Sequence, residues 1–374
     1  MLVSTPDRHL VFFGTEETIG DPTTQDEMFI RFSDQEDINT YQPTAVNTAG
    51  TQRLADGSKI VGAVRGRDAT YIWTDTSLFT MRFIGQPLTF GFQQVGTNCG
   101  LIGQNAALEV DGAAYWLSEN GFFRYSGSLE TMTCLVEDFV YNDLNTTANQ
   151  LINVGLNNLF GEITWFYCTE SSTVVNRCVT YNYQDSSPQR PVWTTGTLAR
   201  GSWTDSSVFG LPHATFFNAS DDSSFDVQGN TEGSTIYFEH EKGTDEALAN
   251  GVTAITSNIE SGDFDITQAR SSTGQQTGVA TFKGDGEFLM KIRRFIPDFL
   301  SQTGNTQVTL QLRNYPNSSQ ASSPLGPFTI TSSTDKVDTR ARARAISLKV
   351  ANTAVGQSWK LGTFRLDTQP DGRR

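Results

Sequence analysis

A chain of 374 residues with 37 % hydrophobic, 18 % charged and 11 % aromatic content is too apolar and too aromatic for a disordered polyanion, despite a net charge of −14. Its 33 Gly and 25 Phe suit an all-β protein, in which aromatics fill pleated faces and Gly makes the turns. No run approaches the roughly 20 apolar residues of a membrane span, and the first nine residues lack the apolar core of a signal peptide, so the chain is expected to fold in a cytoplasm.

Short alternating runs bounded by Gly, Asn, Asp and Ser predict antiparallel strands along the chain. Candidate strands lie at 8–13 and 27–32. Strand–turn–strand units follow at 69–84, 106–126, 158–183 and 211–227. The first strand of each carries an aromatic cluster: Tyr71-Ile72-Trp73, Tyr115-Trp116, Trp165-Phe166-Tyr167 and Phe216-Phe217. In turns such as Glu119-Asn120-Gly121, the glycine supplies a positive φ. Trp73, Trp116, Trp165 and Phe216 are 43, 49 and 51 residues apart. Imperfect repeats of that length predict blades of a β-propeller with the aromatics between blades. A β-sandwich built from the same hairpins is the alternative. Only four or five units are visible, so the propeller is expected to be small or incomplete.

The polar run 241–258 ends this pattern. It predicts propeller-like blades over 1–250 and a C-terminal antiparallel, sandwich-like β-domain over 251–374. Strands of that domain are expected at 287–296, 306–313, 327–332, 336–350 and 358–366. Surface loops are expected at 270–279 and 314–327.

Charge is unevenly spread. Residues 283–374 hold 14 Lys/Arg against 7 Asp/Glu, and the first 282 residues hold 13 against 34. An acidic body argues against a tight grip on DNA phosphates. Cys99, Cys134, Cys168 and Cys178 form no CxxC pair and are expected to be buried free thiols. A hairpin pairing of Cys168 with Cys178 is the alternative.

His9, His213 and His240 are dispersed, and HExxH, GxSxG and Walker motifs are absent. No catalytic, cofactor-binding or metal residues are therefore assigned, and the chain is not expected to be an enzyme. Asp221, Asp222 and Asp226 only loosely resemble a calcium loop, and a solvated turn is the plainer reading. No carboxylate pair stands out as a glycosidase dyad, which needs two carboxyls about 5–10 Å apart.

The sharpest local feature is Arg340, Arg342 and Arg344 in KVDTRARARAISLKV. On one strand these three would share a face, with Ala341, Ala343 and Ala345 on the other. Three like charges call for an anionic partner: carboxylates of an adjacent subunit or DNA phosphate. The bland reading is a solvated edge strand that charge protects against mispairing.

The C-terminal run from Trp359 to Arg374 (WKLGTFRLDTQPDGRR) resembles the end of tail proteins of short-tailed bacteriophages, the podoviruses. The stretch 31–59 (RFSDQEDINTYQPTAVNTAGTQRLADGSK) is similar to a segment of the same proteins in which an R-S-D-x-E start leads to an N-T-A-G turn. Ile72-Trp73-Thr74-Asp75 and Tyr115-Trp116-Leu117-Ser118 resemble their blade strands. The likeness runs from about residue 8 to the end.

This resemblance implies a tail nozzle, or tail tubular protein B-like, subunit: a virion structural protein with a β-propeller. In that family six copies form a ring below the adaptor ring, continue the DNA ejection channel and carry fibre attachments. The implied partners are copies of the chain itself, the adaptor or portal-proximal tail protein, the tail fibres, and DNA passing without specific binding. The implied location is the virion tail, after assembly in the host cytoplasm. No catalytic residue carries over, because the family is structural. Its members are longer, so further blades are expected before this chain or from another polypeptide. The rival readings are a carbohydrate- or receptor-binding propeller module and a tail-associated polysaccharide hydrolase.

Overall fold

The computed structural model describes residues 2–5, 7–205, 210–217, 235–248, 251–270, 276–281, 288–315 and 324–372. Two compact units divide the chain, Met1–Glu241 and Lys242–Arg374.

The first unit is a β-propeller whose blades follow one another along the chain, each an antiparallel sheet of strands paired in sequence order. Blade 1 is β1 (Leu2–Ser4), β2 (Leu10–Phe13), β3 (Phe29–Phe32) and β4 (Gly50–Arg53). Blade 2 is β5 (Ile60–Arg65), β6 (Thr70–Thr74), β7 (Ser77–Gly85) and β8 (Thr89–Thr97). Blade 3 is β9 (Ala107–Val110), β10 (Ala113–Ser118), β11 (Gly121–Tyr125) and β12 (Leu129–Thr131). Blade 4 is β13 (Asn153–Asn157), β14 (Glu162–Tyr167), β15 (Arg177–Asn182) and β16 (Trp193–Gly196). Blade 5 has β17 (Ser202–Thr204), β18 (His213–Phe217) and β19 (Thr235–Glu239) among the described residues. The first strands of successive blades lie side by side: β1 by β5, β5 by β9, β9 by β13 and β13 by β17.

The aromatic clusters fall on the second strand of each blade, and strand alternation sends their side chains to two different neighbours. In β6, Ile72 packs into the core that blades 1 and 2 share, with Val11, Phe13 and Ile30. Tyr71 and Trp73, the odd positions, pack the other way with Trp116 and Phe123 of blade 3. In β14, Trp165 and Tyr167 join that same core, while Phe166 stacks on Trp203 of blade 5 at 5.7 Å between ring centroids. A blade is thus buried on both faces, which is why these strands read as unbroken apolar runs. Each aromatic contributes on the order of 1.5–3 kcal/mol through burial.

Four indole N–H groups reach back to backbone carbonyls that precede their own blade. Trp116 donates to Cys99 O at 2.8 Å, and Trp165 to Ala106 O at 2.9 Å. Trp193 donates to Thr133 O at 2.9 Å, and Trp203 to Leu156 O at 2.7 Å. Small residues let the blades close up. A Cβ on Gly100 would lie 2.0 Å from Asp75 O, and one on Gly155 would lie 2.5 Å from Trp203 Cγ.

Between blades 4 and 5 the Arg200 guanidinium lies 3.6 Å from the Phe238 ring centroid and donates from Nε to His240 Nε2 at 2.9 Å. His240 also stacks against Trp203 at 4.5 Å. It is a neutral acceptor here: burial first, then Arg200 and His213, push its pKa down to about 4.

All four cysteines are free, with Cys134 only half-buried and the other three buried. Cys178 stands opposite Phe166 across β14–β15, so Cys168 and Cys178 do not face each other. Burial pushes Cys99 up to about 11 and Cys134 to about 12, leaving both as thiols at neutral pH.

The second unit contains β20 (Asp245–Leu248), β21 (Gly251–Ala254), β22 (Ser257–Glu260), β23 (Thr267–Arg270), β24 (Gln276–Thr281), β25 (Met290–Ile296) and β26 (Phe299–Thr303). It continues with β27 (Thr306–Arg313), β28 (Pro324–Ile330), β29 (Val337–Ala343), β30 (Ala345–Asn352), β31 (Ser358–Leu361) and β32 (Arg365–Pro370). A four-stranded sheet, β22-β30-β27-β28, faces a three-stranded sheet, β29-β25-β32. Their inner faces interleave Val308, Leu310, Ile346 and Val350 with Met290, Ile292, Phe295, Ala341 and Ala343, an antiparallel sandwich core.

The unit boundary falls at 241/242, ahead of the 250/251 read from composition. The hairpin β20–β21 accounts for the difference, since the Asp245 carboxylate accepts from Gly356 N at 2.9 Å within the second unit. The aspartates of the calcium-loop reading, Asp221, Asp222 and Asp226, lie outside the described residues, as do parts of both expected loops; where they are described, 276–279 belongs to strand β24 and 324–327 to strand β28, because each pairs in an antiparallel hairpin.

Two measurements check this account. Trp165→Phe removes one of the two hydrogen bonds to the Ala106 carbonyl, which also accepts from Leu117 N at 3.2 Å, and is expected to cost about 0.5–1.5 kcal/mol for that bond alone, seen as a lower urea midpoint at unchanged slope; an unmoved midpoint would show that the indole bond contributes nothing. His240 supplies the second. The unfolded chain takes up a proton near pH 6.5 that folded His240 refuses until about 4, so stability from this group is intact above 6.5 and is lost as pH falls toward 4. His240→Gln should therefore flatten the decline of melting temperature across that window.

Candidate functional site

The arginine run is where sequence and structure meet most directly. Among the described residues, strand β29 is an edge strand, hydrogen-bonded only to β25 within its sheet. Ala341 and Ala343 are fully buried in the sandwich core, while Arg340 and Arg342 project from the opposite, exposed face. Arg344 does not join them. The expected single strand 336–350 is broken there into β29 and β30, and Arg344 sits half-buried in the bend, its N–H donating to Arg313 O at 3.0 Å. The reason is topological: β29 belongs to one sheet and β30 to the other, so the chain must turn the corner between layers.

Strand pairing adds cations that the linear sequence did not group. Lys291 of β25 stands directly opposite Arg342, and Arg294 opposite Asp338. On the other side of β25, Arg294 faces Asp367 and Ile296 faces Arg365 of β32. The outer face therefore gathers Lys291, Arg294, Arg340, Arg342 and Arg365, with Arg293 exposed at the bulge between Ile292 and Arg294. The alternation in Met290–Ile296 was the available signal, but only the strand order shows that three strands share it.

The acidic groups on this face are already engaged. Arg342 Nε meets Asp371 Oδ2 at 2.5 Å, which offsets the like charge of Lys291 across the ladder. Arg294 lies between Asp367 at 3.5 Å and Asp338 at 3.8 Å. Among the described residues, Lys291, Arg293, Arg340 and Arg365 have no carboxylate in ion-pair range. Exposed pairs of this kind contribute about 0–1 kcal/mol, so the face is not built for stability. It is an electropositive sheet surface, suited to steering toward an anionic one.

The 31–59 stretch has an internal, structural job. Arg31, nearly buried on β3, donates from Nη2 to Glu16 O at 2.8 Å and Glu17 O at 2.9 Å. Asp34 accepts from Thr48 Oγ1 at 2.6 Å and Thr48 N at 2.8 Å, and these bonds hold its carboxyl below the usual range. His9 Nε2 lies 3.1 Å from the same Thr48 hydroxyl. Gly50 closes the Asn-Thr-Ala-Gly turn against Phe32, whose Cζ would lie 2.3 Å from a Cβ. The motif therefore locks the long β3–β4 connection of blade 1.

Of the remaining histidines, His213 Nδ1 bonds the Tyr237 hydroxyl, and His240 is the acceptor of Arg200. Among the described residues no group of three or more His, Cys, Asp or Glu side chains is placed to hold a metal. Among them too, no helix is long and apolar enough to cross a membrane.

No family model matches the chain, and no curated protein matches it. Several solved structures do. An S. cerevisiae assembly of Dbp5 with Nup159, Gle1, IP6 and ADP aligns at TM-score 0.32 and 10 % identity, over 94 % of this chain and 88 % of that one. The N-terminal domain of Nup159 aligns at TM-score 0.29 and 9 % identity, over 93 % and 97 %. A glycoside hydrolase aligns at TM-score 0.27 and 10 % identity, over 98 % and 97 %. Scores this low carry no weight for fold or function, and the propeller rests on its own strand order.

Proposed function

We propose that this chain is a structural subunit of a short-tailed phage tail, a component of a ring that continues the DNA ejection channel. The observation that carries the reading is the division of charge between the two units. Residues 1–241 hold 11 Lys/Arg against 29 Asp/Glu, and residues 242–374 hold 16 against 12. One unit is thus an acidic propeller and the other a sandwich with an electropositive sheet face.

In a closed ring each subunit presents one surface to the next and a different surface to the previous one, and the contact repeats until it closes. A chain with oppositely charged units meets that requirement: the face carrying Lys291, Arg293, Arg340 and Arg342 docks on the acidic unit of the neighbouring copy. An acidic wall left facing the channel repels DNA phosphates, so the duplex slides without counterion-releasing contacts. The likeness of 31–59 and of the C-terminal run to tail nozzle proteins supports the same reading. It also supports six copies, with adaptor and fibres as further partners.

Replacing Lys291, Arg340 and Arg342 together with Ser removes the proposed docking charges and leaves the core residues Ala341 and Ala343 in place. The variant is expected to keep its melting temperature within a few degrees, since exposed charges contribute about 0–1 kcal/mol each. It should remain monomeric in size-exclusion light scattering under conditions where the parent chain forms rings. Parent rings should also loosen as salt rises. Rings assembling normally from the triple variant would refute the docking role.

A further inference from the structure

Between blades 3 and 4 the first unit carries a half-open cavity of about 270 Å³. Its walls come from β10, β11 and β12 on one side and from β15 and the β15–β16 loop on the other. Tyr115, Tyr181 and Tyr183 supply rings, Arg124 and Glu130 supply charge, and Ser186 and Ser187 supply hydroxyls at the rim.

The cavity is held in shape by its own bonds. Arg124 donates from Nε to the Tyr115 hydroxyl at 3.1 Å and from Nη1 to Glu130 Oε2 at 3.1 Å. Tyr115 is 6 % exposed and lies 6.2 Å from Tyr181, ring to ring. Tyr181 packs in turn on Trp193 at 4.7 Å. The rim loop is closed by reciprocal backbone bonds between Ser187 and Arg190, and by Val192 N donating to Ser186 Oγ at 2.8 Å.

Charge decides what such a cavity takes. The Arg124 cation is neutralised by Glu130, so an anionic ligand finds no net positive charge, and the strongly acidic unit around it opposes anions further. A purely apolar ligand would leave the Arg124–Glu130 pair and the serine hydroxyls facing it without water. A neutral ring carrying many hydroxyls satisfies both constraints. Its C–H face packs on tyrosine rings, and its hydroxyls bond donors and acceptors fixed at known positions.

We propose that this cavity is a binding subsite for a neutral pyranose sugar, of monosaccharide size. Tyr181 is the stacking platform, and Arg124 with Glu130 is the hydroxyl-reading pair. The subsite lies wholly within the first unit and does not depend on the tail reading, so either proposal can fail alone.

The test is saturation-transfer NMR on the full chain, with glucose, galactose, mannose and N-acetylglucosamine as neutral probes and sialic acid as the anionic probe. At least one neutral sugar is expected to receive saturation, strongest at ring C–H protons, and sialic acid none. Tyr181→Ala should weaken binding about tenfold or more, since loss of an aromatic platform of this kind is a change on that scale. Ser187→Trp, on the exposed rim, should fill the cavity and abolish binding while leaving Tyr181, Arg124 and Glu130 in place. If Tyr181→Ala loses its fold by circular dichroism, Ser187→Trp decides. Absence of transfer to every neutral sugar, transfer that survives Ser187→Trp, or preference for sialic acid would overturn the proposal.

Discussion

Indole N–H groups that reach out of one blade to a backbone carbonyl nearer the N-terminus are the constraint on which the first unit depends. A blade alone has two apolar faces and no way to choose its neighbour's register, because dispersion and hydrophobic burial are not directional. A hydrogen bond to one particular carbonyl is directional, and it fixes where the ring can sit. Trp116, Trp165, Trp193 and Trp203 each combine the two, with a large apolar body in the inter-blade core and one polar atom aimed at a single acceptor. Glycine at 100, 103 and 155 then lets backbone and ring approach where any Cβ would collide.

Much of this was readable in the chain. The aromatic clusters at Trp73, Trp116, Trp165 and Phe216 mark equivalent second strands, so their spacing reported the blade repeat directly. Blade 1 was harder to see: its second strand carries Val11 and Phe13 inward and no Trp, and a long polar connection separates β3 from β4. The two-sided burial of β6 and β14 also stayed hidden, because alternation between two apolar faces looks the same as no alternation.

The second unit shows the opposite limit. Local alternation marked β25, β27, β28 and the β29–β30 run, but it missed β20 to β24 and β26 and read β31 and β32, which lie in different sheets, as one strand, and the electropositive face was seen only in part. Arg340 and Arg342 were grouped because they are neighbours in sequence. Lys291, Arg294 and Arg365 join them through long-range antiparallel pairing, about which local pattern says nothing. Arg344 was misplaced for a related reason, since a continuous alternating run hides a corner where the chain changes sheets. Sites assembled across strands are legible in a sequence only after register is known.

The backward reach of the tryptophans bears on how the molecule is made. Synthesis proceeds from the N-terminus, and each acceptor carbonyl precedes its donor by between 17 and 60 residues. When a new indole leaves the ribosome, the segment it must anchor to has already emerged and can be in place. The order of chain growth therefore presents each of these four acceptors before its donor.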